Sequence, residues 1–254
     1  MRVLTWKLHG KMAHFRKFYS NSTALSYYIP PVTTIKGILA GLLGMERDGY
    51  YELFSTENCQ IAIGVASKIK KTTQTMNLLK VESLNDLNGA GKNRTQNNTE
   101  WIMPHHIRTS EVCYSIAMHH VLGEIMEQLA QCLCAKEPVY RSKGISVALG
   151  AAQCLGWMSE GMSCEAQEKL VPNEPIAMMS AIPVESILSL EKKGLENISI
   201  IKEETITQFD KNRYLTEEAK KDILVSISGA PFMVQLKPDI PYIEVQGSNM
   251  MFLG

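Results

Sequence analysis

Three groups of residues in this chain have the types and spacing to do chemistry. The first is a run of cations: Lys68, Lys70, Lys71, Lys80, Lys92, Arg94 and Arg108 are answered between positions 68 and 108 only by Glu82, Asp86 and Glu100. With Arg16, Lys36, Arg141 and Lys143 they could track a phosphate backbone, and Tyr27, Tyr28, Trp101 and the histidines offer faces for base stacking. A solvated loop is the plain alternative reading of the same charges. The second group is His105-His106, beside Pro104 and among basic residues. A histidine can act as general acid or base toward a ribose 2′-hydroxyl while a lysine steadies the pentavalent phosphate, although adjacent histidines are more often surface or hairpin residues. The third is His119-His120 with Cys132 and Cys134, whose spacing does not fit a zinc finger and whose side chains fall on different helical faces, so no metal site is expected.

Composition narrows the classes. A chain of 254 residues is long enough for one large or two small domains with a real core. Formal charge balances at 26 against 26, but residues 1–143 carry 17 Lys and Arg against 11 Asp and Glu, and the remainder reverses that excess. Phosphate contact therefore belongs to the N-terminal part, and the acidic C-terminal part suits protein contact. Cys59, Cys113, Cys132, Cys134, Cys154 and Cys164 match no zinc or disulfide framework, so free thiols in a reducing cytoplasm are expected. The chain shows no signal-peptide pattern, and its apolar runs are too short for a membrane span. P-loop, Rossmann-glycine and Gly-x-Ser-x-Gly patterns are missing, which disfavours several enzyme classes.

The elements that must position these residues follow from periodicity. Residues 2–9 read as a half-buried strand, with Val3, Thr5 and Lys7 on one side and Leu4, Trp6 and Leu8 on the other. Pro30 and Pro31 keep the backbone extended, after which Thr33 or Thr34 could cap a helix whose stripe is Ile35, Ile38, Leu39, Leu42 and Leu43. Gly37 and Gly41 inside it suggest close approach to a sheet or ligand, and Gly44 reads as its C-terminal stop. Residues 60–70 read as a second strand, 112–118 as a third, 119–134 as a helix, and 151–158 as a fourth strand. Strand, helix, strand, strand, helix, strand is the order of a ferredoxin-like fold, here with a long hairpin extension between its middle strands. RRM domains share that order, but aromatic base-stacking motifs of the RRM kind are not evident. Beyond residue 165, residues 222–227, 232–236 and 242–245 read as short strands, 215–221 as a helical turn, and the apolar end, residues 250–254, as buried.

The opening of the chain resembles that of the fifth-subunit family of CRISPR-associated proteins, "Cas-five", in the RAMP superfamily. Phe15, Arg16, Ser26, Tyr27, Pro30, Pro31, Thr33, Gly37, Leu39 and Gly44 occupy the places of its strand, basic or aromatic loop, Ser/Tyr/Pro-Pro stretch and glycine-punctuated helix. Pro138-Val139-Tyr140, Leu149-Gly150 and Cys154-Leu155-Gly156-Trp157 look like its later Pro/Tyr approach, Leu-Gly turn and apolar strand, with Arg141, Ser142 and Lys143 lengthening the approach. The resemblance covers roughly residues 1–160 and is most like the type I-B branch.

This resemblance implies an α+β protein: a ferredoxin-like (RRM-like, RAMP) domain over residues 1–162 with a thumb hairpin at about 68–110, then a small irregular β-rich domain over residues 163–254. It implies a non-catalytic, cofactor-free subunit of a type I CRISPR interference (Cascade) complex in antiviral defence. Such a subunit caps the guide RNA by holding its 5′ handle, contacts the backbone (Cas-seven-type) and large (Cas-eight-type) subunits, and meets target DNA through the complex. The RNA-binding residues expected are Arg16, Tyr27, Lys36, Lys68, Lys70, Lys71, Lys92, Arg94, His105, His106, Arg108, Arg141 and Lys143. The alternative is the family's type I-C activity, metal-independent cleavage of precursor CRISPR RNA by a tyrosine, lysine and histidine cluster. Tyr50 or Tyr51 with His105 or His106 could serve there, although no Lys-His pair matches residue by residue.

Overall fold

The computed structural model describes residues 1–79, 81–88, 94–135, 147–170, 174–191 and 197–254. Strand β1 (Arg2–Gly10) leads to the short pair β2 (Phe15–Arg16) and β3 (Ser26–Tyr27) and then to helix α1 (Val32–Leu42). Next come β4 (Cys59–Val65), β5 (Ile69–Leu79), the single helical turn α2 (Leu84–Leu87), β6 (Arg94–Pro104) and β7 (Val112–His120). Helix α3 (Gly123–Leu133) and β8 (Gly156–Glu165) complete this part. β4, β7, β1 and β8 form one antiparallel sheet in that order, so the expected alternation of strands and helices is present, with the β5–β6 ribbon inserted in its middle.

β1 lies between β7 and β8, with an apolar stripe on one face and Val3 at one end of the other. Leu4, Trp6 and Leu8 are buried in one core with Ile35 and Leu39 of α1 and Met126, Leu129 and Leu133 of α3. Val3, on the opposite face, packs with Ala62 and Ala117 beneath Ile243, Val245 and Met250 from the C-terminal region.

Several element boundaries differ from the sequence expectation. The segment expected as one strand over 60–70 is two, because residues 66–68 turn the chain out of the sheet and Ile69 already pairs with Pro104 in the ribbon. His119 and His120 end β7 instead of starting a helix, and the last strand of the sheet lies at Gly156–Glu165 instead of 151–158. Neither Thr33 nor Thr34 caps α1. Pro31 holds that position, and its carbonyl accepts the Thr34 amide. Gly44 does end the helix: at φ 72° it is left-handed, its amide bonds the Gly41 carbonyl, and Met45 bonds Ala40, a Schellman closure.

The C-terminal region is built from short strands: β9 (Gln167–Lys169), β10 (Ile176–Met178), β11 (Ile182–Pro183), β12 (Ile187–Leu190), β13 (Ile200–Ile206), β14 (Lys220–Ser226), β15 (Phe232–Leu236), β16 (Tyr242–Val245) and β17 (Ser248–Met250). They make a six-stranded sheet, β12-β15-β10-β17-β16-β9, and a three-stranded one, β11-β14-β13. The apolar end is buried within the chain. Leu253 donates to Ile61 on β4 and Gly254 accepts from it, while Leu253, Ile223 and Val225 join the main core.

One close approach sets the fit of α3 against β8. A methyl on Gly161 would sit 1.9 Å from the Leu133 carbonyl oxygen, the last turn of α3, and backbone cannot yield as a side-chain tip can. Gly161→Ala is expected to cost about 2–3 kcal/mol in urea unfolding. Gly123→Ala, whose methyl meets nothing within 4 Å, should instead leave stability equal or raise it by up to about 1 kcal/mol. Equal losses at both positions would remove this account of the α3–β8 contact.

Candidate nucleic-acid interface

The ribbon is the element that carries the cations. β5 and β6 pair over eleven positions, from Ile69 with Pro104 to Leu79 with Arg94. Its residues 72–77 and 95–99 are mostly Thr, Asn and Gln, and Thr75–Asn98 (2.8 Å) and Gln96–Asn77 (3.2 Å) hydrogen bonds cross it. Such cross-strand pairs hold register where no core does. At the base, Ile69, Trp101 and Ile102 are buried in the main core, so the ribbon is rooted there and polar further out.

Lys68, Lys70 and Arg108 are exposed at this base, and none forms an ion pair among the described residues. The His105 amide bonds the Lys68 carbonyl, which places both histidines beside these lysines. The rings of His105 and His106 lie edge to face, with Nδ1 of the first 3.3 Å from Nε2 of the second. Residual desolvation, then the charges of Lys68, His106 and Lys70, hold the exposed His105 imidazole below its ordinary value. The arrangement sets two imidazole rings beside free ammonium groups, which suits contact with a phosphodiester.

Arg16 is exposed on β2, its guanidinium donating to the Ser20 carbonyl at 3.1 Å. It lines a cleft of about 410 Å³ with His14, Asn97, Thr99 and Gly150, between the β2–β3 segment and β6. Beside it, Phe18 and Tyr19 are exposed and pack edge to face. Sequence reasoning missed this aromatic pair and the amide of Asn97. The signal available was the run Arg16-Lys17-Phe18-Tyr19, a basic pair joined to an aromatic one.

Other expected contacts are interior. Tyr27 and Trp101 are 1% and 5% exposed and present no stacking face. Lys71 is held by the Ser26 carbonyl (2.7 Å) and the Glu100 carboxylate (3.0 Å) over the Tyr28 ring, so its charge is used inside the protein. Lys36 is 3% exposed and donates to the Thr207 carbonyl. Tyr27, Trp101, Lys71 and Lys36 are thus placed as structural residues, because each side chain is enclosed by the protein itself. Arg94 ends the ribbon, and Lys80, Lys92, Arg141 and Lys143 lie outside the described residues.

The alternative catalytic cluster is not assembled. Tyr50 packs with Tyr51 and Phe54, and Phe54 packs on His120, which pairs with Cys59 at the first residue of β4. His105 and His106 sit past the other end of that seven-residue strand, roughly 20 Å away at the usual rise per residue. Of the residues weighed for metal, His119 bonds the Arg2 carbonyl and His120 the Leu53 carbonyl, and no ligand cluster occurs among the described residues.

A family model described as CRISPR-associated protein (Cas_Cas5) matches residues 3–124, from β1 into the first turn of α3. Residues 3–124 are thus similar to the Cas5 family. No curated protein matches the chain. Among solved structures, the crystal structure of a CRISPR protein from Archaeoglobus fulgidus is similar at a TM-score of 0.60 and 13% identity, over 98% of each chain. A structure titled CRISPR RNA-guided surveillance complex aligns at 12% identity over 93% of this chain and 94% of its own, with a TM-score of 0.48. The first likeness is one of fold: a mostly-β α+β protein with few helices and several sheets. The matched segment includes the proline stretch, α1, the ribbon, His105 and His106. No helix among the described residues is long and apolar enough to cross a membrane.

The buried Lys36 gives a pH test of this packing. Burial holds its ammonium at about 8 against an ordinary 10.5, with Cys59 opposing and Lys221 adding to the shift. Between those values the unfolded chain binds more protons than the folded one, so Lys36's contribution to stability rises with pH across that window. Wild type is expected to gain about 3 kcal/mol on Lys36→Met between pH 8 and 10.5 in chemical unfolding. A constant difference between the two proteins would show that Lys36 is solvated.

Proposed function

We propose that this chain is a Cas5-family protein, the guide-RNA-binding subunit of a type I CRISPR interference complex most like the type I-B branch, and that it caps the complex by holding the repeat-derived 5′ handle. On this reading the four-stranded sheet with its two helices is the ferredoxin-like RAMP domain, the ribbon is its thumb, and the region after it is a second, β-rich domain. The observation that supports it best is the free basic group at the root of the ribbon, Lys68, Lys70 and Arg108 with His105 and His106, inside the family-matched segment. Arg16 and its cleft add a second basic place further along β6, at Asn97 and Thr99. The backbone (Cas-seven-type) and large (Cas-eight-type) subunits are its protein partners, and target DNA reaches it through the assembled complex.

Cleavage is not part of the proposal. Tyr50 stands far from His105 and His106, so the tyrosine, lysine and histidine cluster of the alternative is not brought together among the described residues. His105→Ala and His106→Ala should therefore change affinity without removing any discrete handle product from a repeat RNA incubated with the purified chain.

Binding itself is measurable as a salt titration with handle RNA. The triple variant Lys68→Ala, Lys70→Ala and Arg108→Ala should bind at least tenfold more weakly. Its log–log salt slope should be shallower by about 2, the value for three lost phosphate contacts on a single strand. Lys71→Ala should instead lose thermal stability, because it strips Glu100 and the Ser26 carbonyl of their partner. An unchanged slope in the triple variant would assign RNA contact elsewhere.

A further inference from the structure

The face of the four-stranded sheet away from α1 and α3 is covered unevenly. At one end Val3, Ala62 and Ala117 are sealed by the C-terminal strands, whereas at the other end His9 of β1 and Trp157 of β8 lie side by side as cross-strand partners. Their rings are stacked, 5.6 Å between centroids and 5° from parallel. His9 cannot turn: Nδ1 bonds the Glu111 carboxylate and Nε2 the Ser159 hydroxyl, both at 2.7 Å. Trp157 is thereby set against a fixed plane, yet it is 41% exposed, while Trp6 and Trp101 are 3% and 5% exposed.

Lys11 completes the arrangement. Its ammonium stands 5.9 Å from the centre of the Trp157 ring on a side chain 72% exposed, loosely paired with Glu111 at 3.9 Å. A cation on so free a stem can move to a phosphate when something flat takes the ring. On the same face a cleft of about 280 Å³ begins at Lys7 and Ser115, whose hydroxyl is buried without a hydrogen-bond partner among the described residues.

We propose that Trp157, backed by His9, is a stacking platform for one unpaired nucleobase, with Lys11 taking the adjoining phosphate. The inference rests on the RNA reading above but uses a different surface from the ribbon base. An aromatic plane held rigid before binding loses little entropy on stacking, and stacking tolerates any base because each presents a π face. A protein partner would use the same indole as an apolar anchor in a pocket, but the parallel His9 ring and the mobile cation fit a planar ligand joined to an anion better.

Because Trp157 is the one exposed tryptophan of three, its fluorescence reports on the site. Titration with a short oligoadenylate, and separately with repeat-derived handle RNA, is expected to quench the emission and shield it from acrylamide. Trp157→Ala should weaken handle binding about tenfold, and Trp157→Phe, which keeps an aromatic face and guards against misfolding, should stay within about threefold of wild type. If handle RNA binds wild type and Trp157→Ala equally and leaves the indole open to acrylamide, the platform is overturned while the RNA-binding reading stands. If wild type binds no RNA, both fail. If Trp157→Ala keeps RNA affinity but no longer assembles with other subunits, the indole is a protein anchor and the platform is overturned.

Discussion

The rest of the molecule depends on how the extended segment at residues 26–31 is held. Two carboxylates from different sheets take its backbone amides: Glu100 of β6 accepts from Ser26, and Glu203 of β13 accepts from Tyr28, both at 2.8 Å. Each acid is matched by a lysine, Lys71 at 3.0 Å and Lys17 at 3.6 Å. Burial pushes the Glu203 carboxyl above its ordinary value, with Lys17 and the Tyr28 amide opposing it. The Tyr114 hydroxyl, fully buried in β7, closes the segment from the sheet side by donating to the Tyr28 carbonyl. Unmet backbone donors here would each cost about 1–3 kcal/mol, and an unpaired buried carboxylate more. The ribbon, the C-terminal region and the start of α1 at Val32 are thus fixed against one stretch of chain.

This explains what the sequence could and could not tell. The order of elements in the sheet was legible because β1, β7, α1 and α3 bury regular stripes, and periodicity reports burial. The ribbon was legible only by default, as a basic stretch without such a stripe, since beyond its base few of its side chains are buried. Element ends were misplaced where the chain leaves the sheet without a Pro or Gly, as at residues 66–68, or where a strand continues through histidines, as at His119 and His120. The fate of the cations was not legible at all. Lys70 and Lys71 are adjacent, yet alternation in the strand sends one to solvent and the other onto Glu100, and Glu100 is 29 positions away.

The C-terminal region illustrates the same limit from the other side. Its strands at Phe232–Leu236 and Tyr242–Val245 match the sequence reading residue for residue, because short alternating runs between turn residues need no distant partner to be recognised. What they cover was hidden. Ile223, Val225 and Leu253 complete the core of the N-terminal sheet, and Glu203 completes the hold on Tyr28, so the region is part of the scaffold that presents the ribbon. Its acidic balance follows partly from such internal duties.

A chain with no net charge is no obstacle to binding a polyanion. Salt confines the field of an exposed charge to about 8–10 Å, so an RNA strand senses the local arrangement and not the total. Lys17, Lys36 and Lys71 are taken up by Glu203, Thr207 and Glu100, which removes them from that arrangement whatever their number. Lys68, Lys70 and Arg108 remain at one place, rooted by Ile69, Trp101 and Ile102 to the core. Cations on a rooted element lose little freedom when a phosphate arrives, and each contact then contributes most of its counterion release to affinity. On the function proposed above, the Glu100 and Glu203 carboxylates that hold residues 26–31 would serve RNA binding indirectly, by keeping the base of the ribbon rigid beside its free lysines.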